Sequence, residues 1–553
     1  MRKSLHLPQI LWCGLKAAPG RTLRGAYWYL RGKRVRGLNL LKAAAATSPD
    51  YYRLWTRVTE PRLVAQYCAA DTDQPLPQLS AVVLGAAADP LASRRTRQSL
   101  TQAFGSDLPI LELDRDGTFV TPPPPGTWLL AIQAGDFVAP VAGRALAAAC
   151  RRNGVAGLVY WDEDRLVDGA RRDPWAKGEW DELVFLARDG LCGAGAFRVP
   201  DDLAADAARD PAAMLAHAAA GADQSTAVHV PLVLTHRAAP ARADQAARRA
   251  QLLSRAWPGH PGLAIGDDAG LQVEWPVEHW PSVSIVIPTR DRVELLEPCI
   301  KGLKQLEYPG EVELIVADNG SVEPATLHFL AQFRAAGGRV VDCPGEFNFS
   351  TINNRAVAAA GGELVCLLNN DIEPLDGIWL TAMARHAVRP GIGAVGAMLL
   401  YPDGTIQHAG VALGVGGAAG HIYRGLHPAD PGNGAMHRTT RRVSIVTAAC
   451  LLVRRSTYLS MGGLDEREFA VAFNDVDFCL RLGRAGLANV FVAEACLIHH
   501  ESKSRGSDMH ASNLARYRRE LAALHARWDT AVALDPWHSA LIRRASEDYV
   551  LEL

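Results

Sequence analysis

Val283 to Arg292 reads VSIVIPTRDR, and the fold turns on what this stretch can be. Val283 to Ile287 is almost continuously apolar, as a strand buried on both faces of a parallel sheet must be, and Pro288-Thr289-Arg290-Asp291-Arg292 ends it. Apolar residues then recur at Val293, Leu296, Ile300 and Leu303, the stripe of a helix laid on that sheet. A second strand, Val312 to Ala317 (VELIVA), runs into Asp318-Asn319-Gly320-Ser321. A third, Glu363 to Leu368 (ELVCLL), runs into Asn369-Asn370-Asp371-Ile372-Glu373. Strands alternating with helices predict a mostly parallel α/β sheet. Ligands of such sheets bind beyond the carboxyl ends of the strands, where these polar clusters fall.

The first half echoes this pattern. Leu79 to Leu84 (LSAVVL) parallels Val283 to Pro288, and WLLAIQAGDF carries Asp136 where ELVCLLNNDI carries Asp371. The chain therefore reads as two related Rossmann-like α/β domains in tandem. Breaks at Pro75 to Pro77 and in the Pro/Gly-containing stretch before Pro281 set the expected boundaries. They are a basic aromatic segment over 1–75, a first domain over 76–245, a linker over 246–281, a second domain over 282–510 and a helical segment over 511–553.

The 553 residues are 48% hydrophobic and 21% charged, an ordinary globular composition. Lys+Arg 58 against Asp+Glu 59 leaves a formal charge of −1, so no global field gathers nucleic acid. The 10 cysteines show neither a C-x-x-C pair nor zinc spacing, which argues against a disulfide scaffold and fits a reducing compartment. No run reaches the roughly 18 to 20 apolar residues of a spanning helix and the amino terminus lacks a signal peptide, so a cytoplasmic location is expected. Before the first acid, Asp50, however, Arg2, Lys3, Lys16, Arg21, Arg24 and Arg31 interleave with Trp12, Tyr27, Trp28 and Leu30. That composition suits peripheral contact with the inner face of the cytoplasmic membrane, the alternative being a solvated basic arm packed on its own domain.

PTRDR after the first strand is not G-x-G-x-x-G, and no G-x-x-x-x-G-K-[ST] follows elsewhere, which argues against hydride transfer and ATP hydrolysis. Gly414 to Gly417 reads as a mobile loop over the site. Asp371, held among amides at a strand end, suits a divalent cation that in turn holds a diphosphate. Asn474-Asp475-Val476-Asp477, ahead of a helix, and His499-His500, closing a later strand, supply further polar groups. Arg441, Arg442, Arg454 and Arg455 read as solvated strand ends or diphosphate contacts, and Trp379 as core or a sugar-stacking ring.

Taken in order, VSIVIPTRDR, VADNGS, FNFSTINNRA, LLNNDIEP, YPDGTIQHAGV, TAACLLVRR, FNDVDFCLRLGRAG and IHHESKSRG resemble the inverting nucleotide-sugar glycosyltransferases of the GT-A fold, family two. The likeness is strongest to those that build O-antigen, capsule or rhamnose-containing polysaccharides. YRLW, VYWDEDRLVDGARRDPWAKGEW and HVPLVLTHR in the first half resemble the tandem members. The resemblance implies transfer of a sugar, rhamnose being one candidate, from a nucleotide-sugar donor to a polysaccharide or lipid-linked glycan acceptor, with Mg²⁺ or Mn²⁺ as cofactor. It puts nucleotide-sugar contacts at Thr289, Arg290, Asp291, Asp318, Asn353, Asn369 and Asn370, metal contacts at Asp371, His499 and His500, and the catalytic base at Asp475, with Asp477 a helix-capping neighbour. In the metal-binding D-x-D motif and the later E-D motif the first acid is an asparagine here, Asn369 and Asn474. These substitutions keep open the alternative of a non-catalytic carbohydrate-binding or assembly subunit.

In the first half, Gly85-Ala86-Ala87-Ala88 stands where the second half has its polar turn, although Asp136, Asp162, Glu163, Asp164 and Asp210 remain. The first domain thus reads as a degenerate GT-A-like unit serving as scaffold, acceptor platform or membrane adaptor, the alternative being a second active transferase.

Overall fold

The computed structural model describes residues 6–69, 77–238, 243–266, 270–430, 432–500, 511–545, 547 and 549–553. Arg2, Lys3, the Pro75 break, the residues after His500 in IHHESKSRG and the expected boundaries at 75 and 510 lie outside these.

Val283–Thr289 forms the strand its apolar run predicts and pairs in parallel with Val312–Asp318 and with Leu364–Leu368. The register sets Thr289 opposite Asp318, so two of the polar strand ends share one edge. All of Leu364–Leu368 is buried, which is why no alternation of polar and apolar residues marks it. The sheet continues through Cys450–Arg454, Ile392–Leu400 and Ala488–His499 to the short Ile372–Pro374, with Arg339–Asp342 at its other edge. Cys450–Arg454 runs antiparallel to both neighbours, and Ile372–Pro374 is antiparallel to Ala488–His499, so this sheet is mixed.

The first half repeats the plan, except that among the described residues the edge strand Arg339–Asp342 has no counterpart. Its order is Ile110–Leu111, Leu79–Leu84, Trp128–Gln133, Gly195–Arg198, Leu158–Val167, Ala227–Arg237 and Phe137–Val138. The sense of each pairing matches: parallel for the first two, antiparallel on both sides of Gly195–Arg198, parallel between Leu158–Val167 and Ala227–Arg237, antiparallel at the end. The protein is two mixed α/β units in tandem, and Asp136 and Asp371 precede equivalent strands.

Of residues 246–281, expected as a linker, the described ones, 246–266 and 270–281, are packed. Helix Ala243–Ala256 and the hairpin Gly262–Ile265/Leu271–Glu274 place Leu253, Trp257, Leu271 and Trp275 in a core shared with Phe185 of the first unit and Val283 of the second. Phe185 and Trp257 stack 5.8 Å apart, and the Arg389 guanidinium lies 3.7 Å from the Trp275 ring centre. Trp379 is fully buried and belongs to the same core. The stretch Gly414 to Gly417 docks on the carboxyl-terminal segment: Gly416 N–H donates to Arg544 O, and a Cβ on Gly414 would meet Ala533 O at 2.8 Å. This anchoring differs from the mobile loop expected there.

Candidate active site

The turn after Val283–Thr289 is held by its own acid. Asp291 (φ 53°) and Arg292 (φ 59°) are left-handed, and Asp291 Oδ1 accepts Val322 N–H (2.7 Å) and Glu323 N–H (2.8 Å) while its own N–H donates to Ser321 Oγ (2.8 Å). Those backbone donors lower the Asp291 carboxyl below its usual range. Asp291 therefore ties the turn to the loop after the next strand, and Arg290 beside it is exposed. Asp318 Oδ1 accepts Ser321 N–H (3.0 Å) and Oγ–H (2.6 Å). Ser321, which neither the motifs nor the resemblance singled out, thus joins the two strand ends.

Two amide oxygens near this edge lack partners. Asn319 donates Nδ2–H to Cys343 O (2.7 Å), and Asn353 donates to Phe349 O (2.8 Å) from helix Phe349–Ala359. The Oδ1 of each is buried with no hydrogen-bond partner among the described residues. A cavity of about 540 Å³ opens beside Asn319, walled by Phe347, Asn348 and Arg355 on one side and by Arg467 and Arg519 on the other.

At the third strand end, Asn370 Nδ2–H donates to Thr289 Oγ1 (3.2 Å), bringing the first and third edges together. Asp371 is 5% exposed, and its Oδ1 lies 3.1 Å from His499 Nε2 without an aligned hydrogen bond. Ile372 pairs with His499 across antiparallel strands, which is what delivers that ring. His499 Nδ1 lies 2.7 Å from Gln407 Oε1, an acceptor, which favours a proton on Nδ1; in that tautomer Nε2 presents its lone pair to the side of Asp371 and Asn369. Two electron-pair donors then face one another in a buried site, a donor set that fits a divalent cation. Asn369 Nδ2 is also 3.4 Å from His499 Nε2. Among the described residues no cluster of three His, Cys, Asp or Glu side chains forms, so further ligands would come from amides, water or substrate.

His500 goes elsewhere. Alternation along the strand turns it to Glu373 Oε2 (3.0 Å), and only its backbone N–H reaches Asp371, donating to the carbonyl (3.0 Å). Gln407 was within the quoted YPDGTIQHAGV segment but carried no signal of its own; its role appears only once the register of the strands is known.

Asp475 opens helix Asn474–Arg484 and is partly exposed. Its Oδ2 accepts Ala448 N–H (3.0 Å) and its Oδ1 accepts Val476 N–H (2.8 Å). Ala449 O in turn accepts Asn369 N–H (3.0 Å), so the turn that orients Asp475 is bonded to the strand end bearing Asp371. Asp477 is fully buried and faces away, accepting from Arg481 (2.8 Å), Arg527 (2.8 Å) and Trp528 Nε1–H (3.0 Å). Arg441 donates to Met436 O and Ala409 O, Arg442 pairs with Glu182, Arg454 donates to Val388 O and Arg455 to Val357 O.

The first unit closes the equivalent position. His236, register partner of Phe137 as His499 is of Ile372, lies 2.7 Å from Asp164, and Arg237 places a guanidinium nitrogen 4.0 Å from Asp136 Oδ2. Glu163 pairs with Arg237 and Lys177, and Asp162 with His229, so every acid of that strand end is paired.

Residues 284–458 match the family model described as Glycosyl transferase family 2. The chain is 37% identical over 427 residues to the uncharacterized protein y4gI of Sinorhizobium fredii, an overlap of 72% of this chain and 46% of that one. It is 33% identical over 422 residues to the O-antigen biosynthesis protein RfbC of Myxococcus xanthus, covering 69% of this chain and 31% of that one. A third relative, the N-acetylglucosaminyl-diphospho-decaprenol L-rhamnosyltransferase of Mycobacterium tuberculosis, is 30% identical over 240 residues, 39% of this chain and 76% of its own length. The chain thus spans less than half the length of the first two relatives and most of the third. With a matched family model over the second sheet and a relative covered over most of its length, the chain belongs to glycosyl transferase family 2.

Proposed function

We propose that this protein is an inverting glycosyltransferase of cell-surface polysaccharide biosynthesis that moves a sugar from a nucleoside-diphosphate donor to a hydroxyl of a polysaccharide or lipid-linked glycan, with Mg²⁺ or Mn²⁺. The observation that carries the reading is the buried approach of Asp371 Oδ1 to His499 Nε2 at 3.1 Å, at the edge where Thr289 and Asp318 also end. Asp371 and His499 would hold the ion, which supplies positive charge against the diphosphate leaving group. Asn319 Oδ1 and Asn353 Oδ1 offer buried acceptors to N–H or O–H groups of a nucleoside. Arg290, exposed on the turn, is free to meet a phosphate. Asp475, oriented by two backbone N–H groups, takes the proton of the acceptor hydroxyl as its oxygen bonds to the anomeric carbon and the bond to diphosphate breaks. Attack opposite the leaving group inverts that carbon. The names of the two relatives with an assigned activity support an O-antigen-like acceptor and make rhamnose the first donor to try. The first unit, with its acids paired internally, serves as scaffold. A lipid-linked acceptor would place the reaction at the inner face of the cytoplasmic membrane.

The test is release of nucleoside diphosphate by the purified full chain from a panel of nucleotide sugars with Mn²⁺ or Mg²⁺. Metal-dependent release from one donor is expected, falling about 10²- to 10⁴-fold in Asp475→Ala with donor binding intact. Asp371→Ala is expected to lose metal-dependent nucleotide binding as well. Absence of any metal-dependent nucleotide binding by calorimetry would sink the proposal.

A further inference from the structure

The helices Leu7–Ala17 and Pro19–Leu30 carry an outward face that the proposed chemistry does not use. Trp12 and Leu15 are 61% and 45% exposed, one turn apart on the first helix; Leu23, Tyr27 and Leu30 are 64%, 50% and 84% exposed on the second. The spacing of Leu23, Tyr27 and Leu30 puts them on one stripe. That stripe cannot turn inward, because the opposite face is committed. Gly25 packs against Leu41, and Gly37 packs so closely on Tyr29 that a Cβ there would meet its backbone at 2.5 Å. Ile10, Cys13 and Leu41 belong to the core formed with Tyr51 and Trp55.

The charges around the stripe have one sign. Lys16 pairs with Asp50 and Lys42 with Glu552. Arg21, Arg24, Arg31, Lys33, Arg34 and Arg36 are exposed and have no acidic partner among the described residues. Several stand over aromatic faces: Lys33 and Arg36 lie 4.7 and 4.4 Å from the Trp28 ring centre and Arg31 5.6 Å from that of Tyr27. Leucines and aromatics at the tip with cations beside them match a layer lying in a lipid interface, apolar groups among the acyl chains and cations at anionic headgroups. A second copy would bring like charges together, and a nucleic acid offers nothing to Leu23 and Leu30. No helix among the described residues is long and apolar enough to cross a membrane.

We infer that the Leu7–Leu30 layer is a docking surface for an anionic lipid bilayer, which lies along the membrane without spanning it. This holds whichever donor or acceptor the enzyme uses. The test is co-sedimentation of the purified full chain with vesicles of phosphatidylcholine alone or with about a third phosphatidylglycerol. Expected is partition at least tenfold stronger onto the anionic vesicles, weakened by salt. Leu23→Glu with Leu30→Glu, at exposed positions, should remove it while leaving the melting temperature and nucleotide binding unchanged, and Arg24→Glu with Arg31→Glu should do the same. Equal binding to neutral vesicles, no binding to either, or full binding by both double variants would overturn the inference. So would a dimer in lipid-free solution that Leu23→Glu with Leu30→Glu dissolves.

Discussion

Gln407 is 4% exposed, and its Oε1 lies 2.7 Å from His499 Nδ1, which favours the tautomer with a bare Nε2 toward Asp371. If His499 holds the ion as proposed, such an outer partner is worth about 10- to 100-fold in metal affinity. Gln407→Leu, close in volume, should therefore raise the Mn²⁺ needed for half-maximal turnover by that factor and leave the protein folded; an unchanged Mn²⁺ titration would show that the tautomer is set otherwise. In the first unit the corresponding carboxyl answers to pH instead. Burial, against the pull of Arg237, pushes Asp136 up to about 6. A carboxyl raised in the folded state contributes stability fully below its ordinary value near 4, and that contribution is lost as pH rises through about 6. Asp136→Asn keeps the acceptor for Ala238 N–H and should gain on the wild type in urea denaturation as pH rises from 4 to 6, by about 3 kcal/mol at most. At this scale the residue types of the site were legible in the sequence, since strand-end acids and amides announce themselves. The choice between His499 and His500 was not, because adjacent strand residues face opposite ways and only the pairing of Ile372 with His499 says which faces in.

Elements show what periodicity can and cannot reveal. Asp475 and Asp477 are two apart on one helix and so point to different faces. One faces the Thr447 to Ala449 turn, while the other is buried against Trp528 of the Ala511–Trp528 helix. Asp477→Ala should cost about 3 kcal/mol by leaving Arg481 and Arg527 short of a partner, less than a wholly buried pair because Arg527 is 33% exposed and keeps Asp465 at 2.9 Å. Faster limited proteolysis in the Ala511–Trp528 helix, together with a lowered melting temperature, would register that loss; wild-type resistance would refute it. The tandem pattern was readable because both opening strands are apolar runs with a serine at the second position. Pro and Gly between residues 257 and 281 marked a linker, and they flank a helix and a hairpin, beside which Trp257 and Trp275 fill the seam. Composition alone does not distinguish a flexible linker from a packed one when the packing partner is distant in sequence, as Phe185 is from the Trp257 ring it stacks on.

Over the whole molecule, the chain ties distant sequence together at a place no local pattern could announce. Leu541, Ile542 and Leu551 are buried among Leu41, Tyr51 and Trp55, and the contact is fixed by polar bonds. Tyr51 Oη–H donates to Leu551 O (2.8 Å), Trp55 Nε1–H to Glu552 O (3.0 Å), and Lys42 Nζ to Glu552 Oε1 (2.6 Å). The same helix that offers Trp55 also offers Tyr52, whose hydroxyl donates to Asp164 (2.6 Å) in the first sheet. The final residues thus brace the helical layer against the first unit, and the layer's outward face depends on that brace. Each of the three aliphatic side chains contributes about 1.5–3 kcal/mol by its burial, so together they approach the whole stability of an ordinary domain. Removing residues 541–553 should therefore lower the melting temperature and expose Trp55 to water, seen as a red shift and faster quenching of tryptophan fluorescence. Residues 541–553 also touch the second unit, where Gly416 N–H donates to Arg544 O and Tyr549 stacks on Tyr423. Asp371, His499 and Asp475 nevertheless bond to none of the described residues among them, so metal-dependent nucleotide binding at low temperature should survive the truncation. Loss of nucleotide binding with an unchanged melting temperature would reverse this account, making the terminal residues part of the site rather than of the frame.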